Sequence, residues 1–235
     1  MQQGLYKCEY WVDEAVGRSV MYVHAGHMLG GNSAFAHIGT YETRAGETSA
    51  EIESRRFNND PNYSSLLGQD VATISVTGRK VDGLYLFDGG SPQMPGAKFR
   101  AQLTTIDGET APVAGAVGEG GIANGLYSIH IRTLDGIDSG LTGVMLLHDG
   151  RILGGDAFFY YLGTYTSANG RWKGEIVNQE HTPAKGEVPV FGGHDEVGIG
   201  FSGTCGDGGG ELEATAFAGK RSLRLAAVLK LIRTA

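Results

Sequence analysis

The chain contains one unusual hairpin sequence twice. HAGHMLGGNSAFAHIGTY, residues 24–41, and HDGRILGGDAFFYYLGTY, residues 148–165, are identical at nine of 18 aligned positions. The tripeptide GLY opens both repeats, at residues 4 and 125, so each repeat is slightly more than 100 residues long. Solenoid repeats are shorter, roughly 20 to 50 residues, whereas a unit of this length can bury its own core. The duplication therefore predicts two similar domains.

The segment between the repeats has the composition of a linker. Residues 107–124, DGETAPVAGAVGEGGIAN, are rich in Gly and Ala, carry three acidic residues and have no periodic apolar pattern. Such a composition is typical of a flexible connection. We therefore predict domains at 1–106 and 125–235 with a flexible linker between them.

Apolar and polar residues alternate along most of each repeat, as in VATISVT at 71–77 and LEATAFA at 212–218. This alternation, with many β-branched and aromatic residues, is typical of half-buried antiparallel strands. The 39 glycines and only 6 prolines fit a chain with many tight turns. In the first repeat the predicted strands are 5–7, 18–24, 27–31, 33–42, 48–56, 70–78, 82–87 and 98–106. Eight strands in up-and-down order predict a closed barrel, because closure removes the exposed edges of the sheet.

The repeated motif itself predicts a hairpin. Asp149-Gly150 is a type I′ turn sequence, and Ala25-Gly26 occupies the same position in the first repeat. A histidine ends the strand before each turn, and the glycine pair that follows predicts a sharp bend or a bulge. The residues assigned this structural role are His24, Gly26, Gly30, Gly31, His148, Gly150, Gly154 and Gly155.

Charge and composition argue against several protein classes. The net charge is −7, with 9 basic and 11 acidic residues in 1–106 and 10 basic and 12 acidic residues in 125–235. Because nucleic-acid affinity comes largely from Lys and Arg on phosphates, we predict no direct nucleic-acid binding. We also expect a cytoplasmic protein without a membrane segment, since the sequence contains neither a signal-peptide pattern nor an apolar run near the roughly 18 residues of a span. Cys8 and Cys205 make no disulfide framework and are expected to be buried or half-buried thiols.

Two patterns have the spacing of ligand-binding motifs without the required context. His24 and His27 are spaced like metal ligands, but Arg151 replaces the second histidine in the other repeat and no third ligand is near, so no metal is predicted. GIGFSG, residues 198–203, matches the glycine pattern of dinucleotide binding, but a turn sequence follows it instead of a helix, so no cofactor is predicted. His37, which aligns with Tyr161, is expected on the barrel surface or wall.

No catalytic motif stands out, and we predict that the protein is not an enzyme. Catalytic groups that converge from distant positions would leave no motif, so an enzyme of small-barrel type stays an alternative. Its mark would be a pocket with convergent polar residues and strongly perturbed pKa values.

One strand of the second repeat is aromatic on both faces. In AFFYYLGTY, alternation divides the side chains into two sets: Phe158, Tyr160 and Leu162, and Phe159, Tyr161 and Gly163. This predicts a strand buried on both sides, with one face inside the barrel and the other against the sister repeat. The alternative is an ordinary core strand with scattered surface aromatics.

The combined pattern resembles the GrlR family of bacterial proteins. It consists of GLY at the start of a strand, the turn glycine, LGGN or LGGD, and an aromatic strand that ends in GTY. The second repeat is the closer match, through Gly125, Tyr127, Gly150, Gly154, Gly155, Asp156 and Gly163. GrlR is a negative regulator that sequesters GrlA, the transcriptional activator of a type III secretion system. The resemblance implies lipocalin-like eight-stranded barrels that pair, so that two fused copies form an intramolecular pseudo-dimer.

The resemblance also implies a function. The family's regulator holds its activator through a short acidic surface run just after this strand. The corresponding stretches here, ETRAGETSAE and TSANGRWKGE, contain the predicted protein-binding residues Glu42, Glu47, Arg171 and Lys173. The leading hypothesis is therefore a non-enzymatic regulatory protein that binds another protein, such as a transcriptional activator.

A second hypothesis is a carrier or sensor of a small apolar ligand such as a lipid. Eight-stranded barrels either fill with side chains or hold one small ligand. Small residues that would leave room, if they face inward, are Ala34, Ala36, Ala101, Ala214, Ala216, Ala226 and Ala227. A large apolar cavity would favour this hypothesis, and a filled interior would count against it. The loops 58–70 and 181–195 share little sequence, so any asymmetric function is expected there.

Overall fold

The structure is a computed structural model that describes residues 1–106, 113–134, 140–184, 191 and 196–235. The chain divides into two units, Met1–Thr110 and Ala111–Ala235. Each unit is a closed antiparallel barrel of eight strands, and every regular element in the described ranges is a strand. The predicted all-β fold with an internal duplication is confirmed.

The first barrel is an up-and-down meander. Its strands are β1 Gly4–Val12, β2 Ala15–His24, β3 His27–Gly31, β4 Phe35–Arg44, β5 Glu47–Arg56, β6 Val71–Val81, β7 Leu84–Gly90 and β8 Phe99–Thr105. Each strand pairs with the next, and β8 returns to β1 through pairs such as Tyr6 with Thr105.

The second barrel repeats this order. Its strands are β9 Gly125–Thr133, β10 Leu141–His148, β11 Arg151–Gly155, β12 Phe159–Ala168, β13 Arg171–Glu180, β14 Glu196–Gly206, β15 Gly209–Ala218 and β16 Arg221–Thr234. The last strand, β16, pairs with β9 and closes the barrel.

The duplicated motif forms the same hairpin in both barrels. Ala25 and Gly26 have φ values of 45° and 83°, and Asp149 and Gly150 have φ values of 47° and 76°. Positive φ at both central residues defines a type I′ turn, whose twist matches the flanking strands. The prediction of a two-residue hairpin turn after each histidine is confirmed.

The first glycine of each pair allows two strands to approach closely. A Cβ atom at Gly30 would lie 2.0 Å from the Val20 carbonyl oxygen, and one at Gly154 would lie 2.3 Å from the Val144 carbonyl oxygen. A larger residue would therefore push the neighbouring strand away at either position.

A side-chain-capped turn follows each glycine pair. Asn32 Oδ1 accepts hydrogen bonds from the backbone N–H groups of Ala34 and Phe35, and Asp156 Oδ1 does the same in the second barrel for Phe158 and Phe159. Pairing on both sides of β3 continues without a register shift. The predicted bend is thus present as an Asx-type turn and involves no bulge.

The prediction of a flexible linker does not hold over residues 113–124. Ser167 N–H donates a hydrogen bond to the Ala116 carbonyl oxygen at 3.0 Å, and Gly118 N–H donates to the Ser167 carbonyl oxygen at 2.8 Å. Val117 thereby forms a parallel bridge with Ser167 on β12. Backbone pairing fixes this stretch to the second barrel, whereas residues 107–112 of the predicted linker lie outside the described ranges.

Side chains fill the interior of the second barrel. Large buried groups include Tyr127, Trp172 and Phe201, with the Trp172 and Phe201 ring centroids 4.7 Å apart. The indole N–H of Trp172 donates to the Glu211 carbonyl oxygen at 3.1 Å, so the one polar group of the ring has a partner. A cavity of about 40 Å³ with wholly apolar lining is left near Met145.

The aromatic strand β12 follows the predicted alternation. Tyr161 and Tyr165 point into the interior cluster, and Tyr160 and Leu162 on the opposite face are half-buried. Of the divergent loops, 58–70 is held over the first barrel, where Leu67 joins the core. Residues 185–190 and 192–195 of the other loop lie outside the described ranges.

Candidate functional site

The stretch ETRAGETSAE, which contains the predicted residues Glu42 and Glu47, lies in the β4–β5 hairpin of the first barrel. A two-residue turn at Ala45 and Gly46 connects the strands, and Arg44 pairs with Glu47 across it. Glu42 and Glu47 are both exposed, and a Glu42 carboxylate oxygen lies 2.8 Å from an Arg44 guanidinium nitrogen. Such an exposed ion pair contributes little stability, so these charges are available to a partner.

A shallow groove crosses the outer face of β4, β5, β6 and β7. We call it the β4–β7 groove; its volume is about 500 Å³ and it opens to solvent. Its exposed lining side chains are Thr40, Glu42, Ser49, Glu51, Ser75, Thr77 and Asp88. Tyr41, Ala50 and Val76 point inward between them, and their backbone forms the floor.

The β4–β7 groove is electrostatically negative. Three carboxylates, Glu42, Glu51 and Asp88, and no basic side chain occur among the described residues that line it. The four hydroxyl groups beside them both donate and accept hydrogen bonds. This arrangement suits a cationic, hydrogen-bonding ligand surface.

Strand register creates this groove from residues distant in the sequence. Glu42 pairs with Ser49, Ser49 pairs with Thr77, and Thr77 pairs with Asp88. The sequence prediction identified Glu42 but missed Glu51 and Asp88. The alternating pattern did indicate that both face outward, and only the pairing register could have joined them to Glu42.

The equivalent hairpin of the second barrel carries the opposite charge. Arg171 occupies the position of Glu47 and Lys173 that of Ser49, while Thr166 replaces Glu42. Arg171 and Lys173 are exposed on the outer face of β13, where they pair with Thr204 and Ser202 of β14. The four predicted residues therefore lie in two pairs on equivalent hairpins, one pair on each barrel.

The hairpin histidines have no metal-site geometry. His24 and His148 end their strands, and His148 Nδ1 lies 3.3 Å from Asp149 Oδ2 of the adjacent turn. Across the described parts of the chain, no group of three or more His, Cys, Asp and Glu side chains could hold a metal ion.

The GIGFSG motif lies inside a strand. Residues 198–203 belong to β14, which turns directly into β15, so no helix N-terminus stands behind the glycines to bind a phosphate. Gly198 and Gly200 face open space, whereas a Cβ atom at Gly203 would lie 1.9 Å from the Glu211 carbonyl oxygen.

Neither thiol is placed to act as a nucleophile. Cys8 is buried, and this burial raises the pKa of its thiol to about 12. Cys205 is half-buried, and partial burial also raises its thiol pKa. Reactive cysteines need the thiolate form at neutral pH, which burial disfavours here.

His37, which the sequence analysis expected on the barrel surface or wall, is a buried polar residue, so the surface placement is wrong. It lies inside the first barrel, where its ring packs edge-to-face on Tyr10 with centroids 5.9 Å apart, and neither ring nitrogen has a hydrogen-bond partner. Burial lowers the pKa of His37 to about 4. Its shared alternation phase with Phe35 and Tyr41 was the available signal that it points inward.

Comparison with known proteins does not assign this two-barrel protein to a family. No family model matches the chain, and no curated protein matches it. Among solved structures, the chain is similar to a Bacteroides fragilis protein named as a "putative outer membrane protein", with a TM-score of 0.24 and 11% identity over 97% of this chain and 96% of that chain. A likeness at that TM-score carries no argument about function. The described residues contain no helix long and apolar enough to cross a membrane.

Proposed function

We propose that this is a non-enzymatic regulatory protein that acts by binding another protein, in the manner of the GrlR-like negative regulators that it resembles. The observation that carries the proposal is the acidic β4–β7 groove beside Glu42, on the hairpin where that resemblance locates partner binding. The partner is a protein with a basic contact surface, such as a transcriptional activator. A DNA-binding activator has such a surface because it must neutralise phosphates.

The groove suits a protein surface better than a small molecule. It is open to solvent, whereas small-molecule pockets enclose most of their ligand. Its carboxylates would steer a basic partner during approach and would fix its orientation on contact. Capture of the activator would lower the concentration that is free to bind DNA, which is regulation without catalysis.

The opposite charges on the two equivalent hairpins support different binding roles for the two barrels. Glu42 and Glu47 of the first barrel suit a basic part of the partner, and Arg171 and Lys173 of the second barrel suit an acidic part. Each hairpin would therefore select a partner surface of the opposite charge.

The carrier hypothesis receives no support from the second barrel. Four of the seven predicted small residues, Ala101, Ala214, Ala216 and Ala227, do belong to the interior clusters. The cavity lined by Met145, Tyr161 and Ala214 of the second barrel has a volume of about 40 Å³, whereas ligand pockets occupy roughly 300 Å³ or more.

Native mass spectrometry of the protein purified from its own host, followed by titration with the recovered partner, tests this proposal. The test variant is Glu42→Gln/Glu51→Gln/Asp88→Asn, and the matched control is Glu175→Gln/Glu213→Gln at equivalent positions of the second barrel. We expect a stoichiometric protein partner whose Kd rises at least about 10-fold in the test variant and less than about twofold in the control. Absence of a protein partner, or equal Kd values for all three proteins, would overturn the proposal.

A further inference from the structure

Two equivalent strands extend beyond their neighbours. The last pair between β3 and β4 is His27 with Thr40, and β4 continues to Arg44. The last pair between β11 and β12 is Arg151 with Thr164, and β12 continues to Ala168. Each extension therefore has one edge that no barrel strand covers.

Backbone alternation identifies the groups on that edge. Tyr41 N–H donates to the Gly26 carbonyl oxygen at 2.9 Å, and Tyr165 N–H donates to the Gly150 carbonyl oxygen at the same distance. Backbone groups of every second residue point to the same side of a strand. The N–H and C=O groups of Thr43 and Ser167, two residues further on, thus lie on the uncovered edge.

In the second barrel, residues 115–121 cover this edge. We call this segment the strap. Its Ala116 and Gly118 hydrogen-bond to Ser167 as a parallel strand does, and Glu119 and Gly120 carbonyl oxygens accept bonds from the next turn, the first from Asn169 N–H at 2.8 Å. Ser167 is consequently 4% exposed.

Small residues are required in the strap. A Cβ atom at Gly115 would lie 1.9 Å from the Tyr165 carbonyl oxygen, and one at Gly121 would lie 2.5 Å from the Ser167 hydroxyl oxygen. The close approach explains why positions 115 and 121 are occupied by Gly.

In the first barrel the same edge is open. Thr43 is exposed, and within residues 1–106 no backbone–backbone hydrogen bond outside the β4–β5 pair involves Glu42, Thr43 or Arg44. A side-chain contact of the two extensions is equivalent in both barrels. The Met1 amine donates a hydrogen bond to the Thr43 hydroxyl at 2.8 Å, and the Ile122 N–H donates one to the Ser167 hydroxyl at 3.1 Å.

We propose that the edge at Tyr41–Arg44, which we call the β4 edge, binds an extended segment of the partner protein as a short parallel strand. Addition of a strand to an uncovered edge is a common mode of peptide recognition. This inference rests on the proposed function and names the contact at which the partner is held. In the second barrel the strap already occupies the equivalent edge of β12.

The strap also defines the chemistry of the segment. The position equivalent to Gly115 takes Gly, since a Cβ atom there would meet the backbone. The position equivalent to Gly118 takes a small residue, since a Cβ atom at Gly118 would lie 3.3 Å from the Ala168 Cβ atom. The Glu119 carbonyl oxygen is bound by the turn that precedes the basic residue Arg171. The equivalent turn of the first barrel precedes the acidic residue Glu47. A Lys or Arg at the position of Glu119 therefore complements the first barrel.

Two peptides test the β4 edge on the full-length protein. One has the sequence of residues 113–121, VAGAVGEGG, and the other, VAGAVGKGG, has Lys in place of Glu. We expect saturable NMR shifts at Tyr41–Arg44, slower exchange of the Thr43 amide, and no change at Ser167. The Lys peptide should bind about 2- to 5-fold more tightly than the Glu peptide, as expected for one exposed charge pair.

Two variants of the protein and one peptide provide the controls. Thr43→Pro removes the N–H donor but no β4–β5 backbone hydrogen bond, and it should abolish binding. Thr43→Val loses the same hydroxyl hydrogen bonds to Met1 and Thr48 but keeps the N–H, so it should retain binding. The peptide VAGAVPKGG lacks the donor equivalent to Gly118 and should not bind, a control that needs no change to the protein. Absence of shifts at Thr43, or equal binding of the proline peptide, would overturn the inference.

The outcome is separable from that of the proposed function. Peptide binding at the β4 edge without any host protein partner would support the β4 edge as a binding site and overturn the proposed regulatory function. A host partner that binds wild-type protein and Thr43→Pro with equal Kd would uphold the regulator and overturn the edge.

Discussion

Tyr161 and His37 occupy equivalent positions inside the two barrels, and they differ in their hydrogen bonding. The Tyr161 hydroxyl donates to Asp156 Oδ2 at 3.1 Å, whereas both ring nitrogens of His37 are buried without a partner. A buried polar group without a partner costs stability. At this position the first barrel therefore has an unpaired buried polar group, whereas the second barrel has a paired one.

Acidification should destabilise the first barrel selectively. The pKa of His37 falls from 6.5 in the unfolded chain to about 4 in the folded protein, so the unfolded chain binds the proton first. The His37 contribution to the free energy of unfolding should be constant above pH 6.5 and should fall as the pH drops towards 4, by about 3 kcal/mol in total. Each barrel contains one tryptophan, Trp11 or Trp172, so single-tryptophan variants report urea unfolding of each barrel separately.

His37→Phe is the control for this prediction. Its first barrel should keep the same unfolding midpoint between pH 6.5 and 4.5 apart from the background change seen in the second barrel. An equal loss of stability in wild type and His37→Phe would rule out His37 as the cause.

Glycines of β14 should respond to substitution according to their facing. A Cβ atom at Gly200 would have no neighbouring atom within 4 Å, so Gly200→Thr should stabilise the second barrel by about 0.5 to 1 kcal/mol through strand propensity. Gly203→Ala would bring a methyl group against the Glu211 carbonyl oxygen and should cost about 1 to 3 kcal/mol. Urea unfolding followed through Trp172 measures both, and a destabilising Gly200→Thr would contradict the assignment of this motif to an open strand face.

Turn glycines should reveal the packing of the strap. Gly26 and Gly150 have similar positive φ values, but a Cβ atom at Gly150 would lie 2.0 Å from the Gly115 carbonyl oxygen, while one at Gly26 would have 3.8 Å to its nearest neighbour. Gly26→Ala should cost about 1 kcal/mol from backbone strain alone. Gly150→Ala should cost about 2 to 4 kcal/mol because the strap must also move. Equal costs in thermal or urea unfolding would mean that the strap does not pack on this turn.

Local patterns made most of the fold predictable. Alternation and the Asp149-Gly150 turn indicated eight strands per repeat, because side-chain facing and turn chemistry are properties of neighbouring residues. The sequence predicts strand β1 only at 5–7, but the strand spans Gly4–Val12, since its two-residue turn at Asp13 and Glu14 contains no glycine to signal it. The barrel order followed from short connections.

The strap and the groove needed the structure. The strap binds through backbone groups, so its Gly and Ala residues carry no side-chain pattern and resemble a linker in sequence. The groove combines Glu42 with Asp88, which are 46 positions apart and meet only through the register of three strand pairs. Non-local pairing of this kind leaves no periodic signal in the sequence.

Amide hydrogen exchange at Thr43 and Ser167, measured in one sample, tests directly whether the partner binds at the β4 edge. In the free protein we predict rapid exchange at Thr43, which is open, and slow exchange at Ser167, which the strap covers. In the complex with its protein partner, Thr43 should become protected and Ser167 should not change. Protection of Thr43 in the free protein would contradict an open β4 edge, and rapid exchange at Thr43 in the complex would contradict partner binding there.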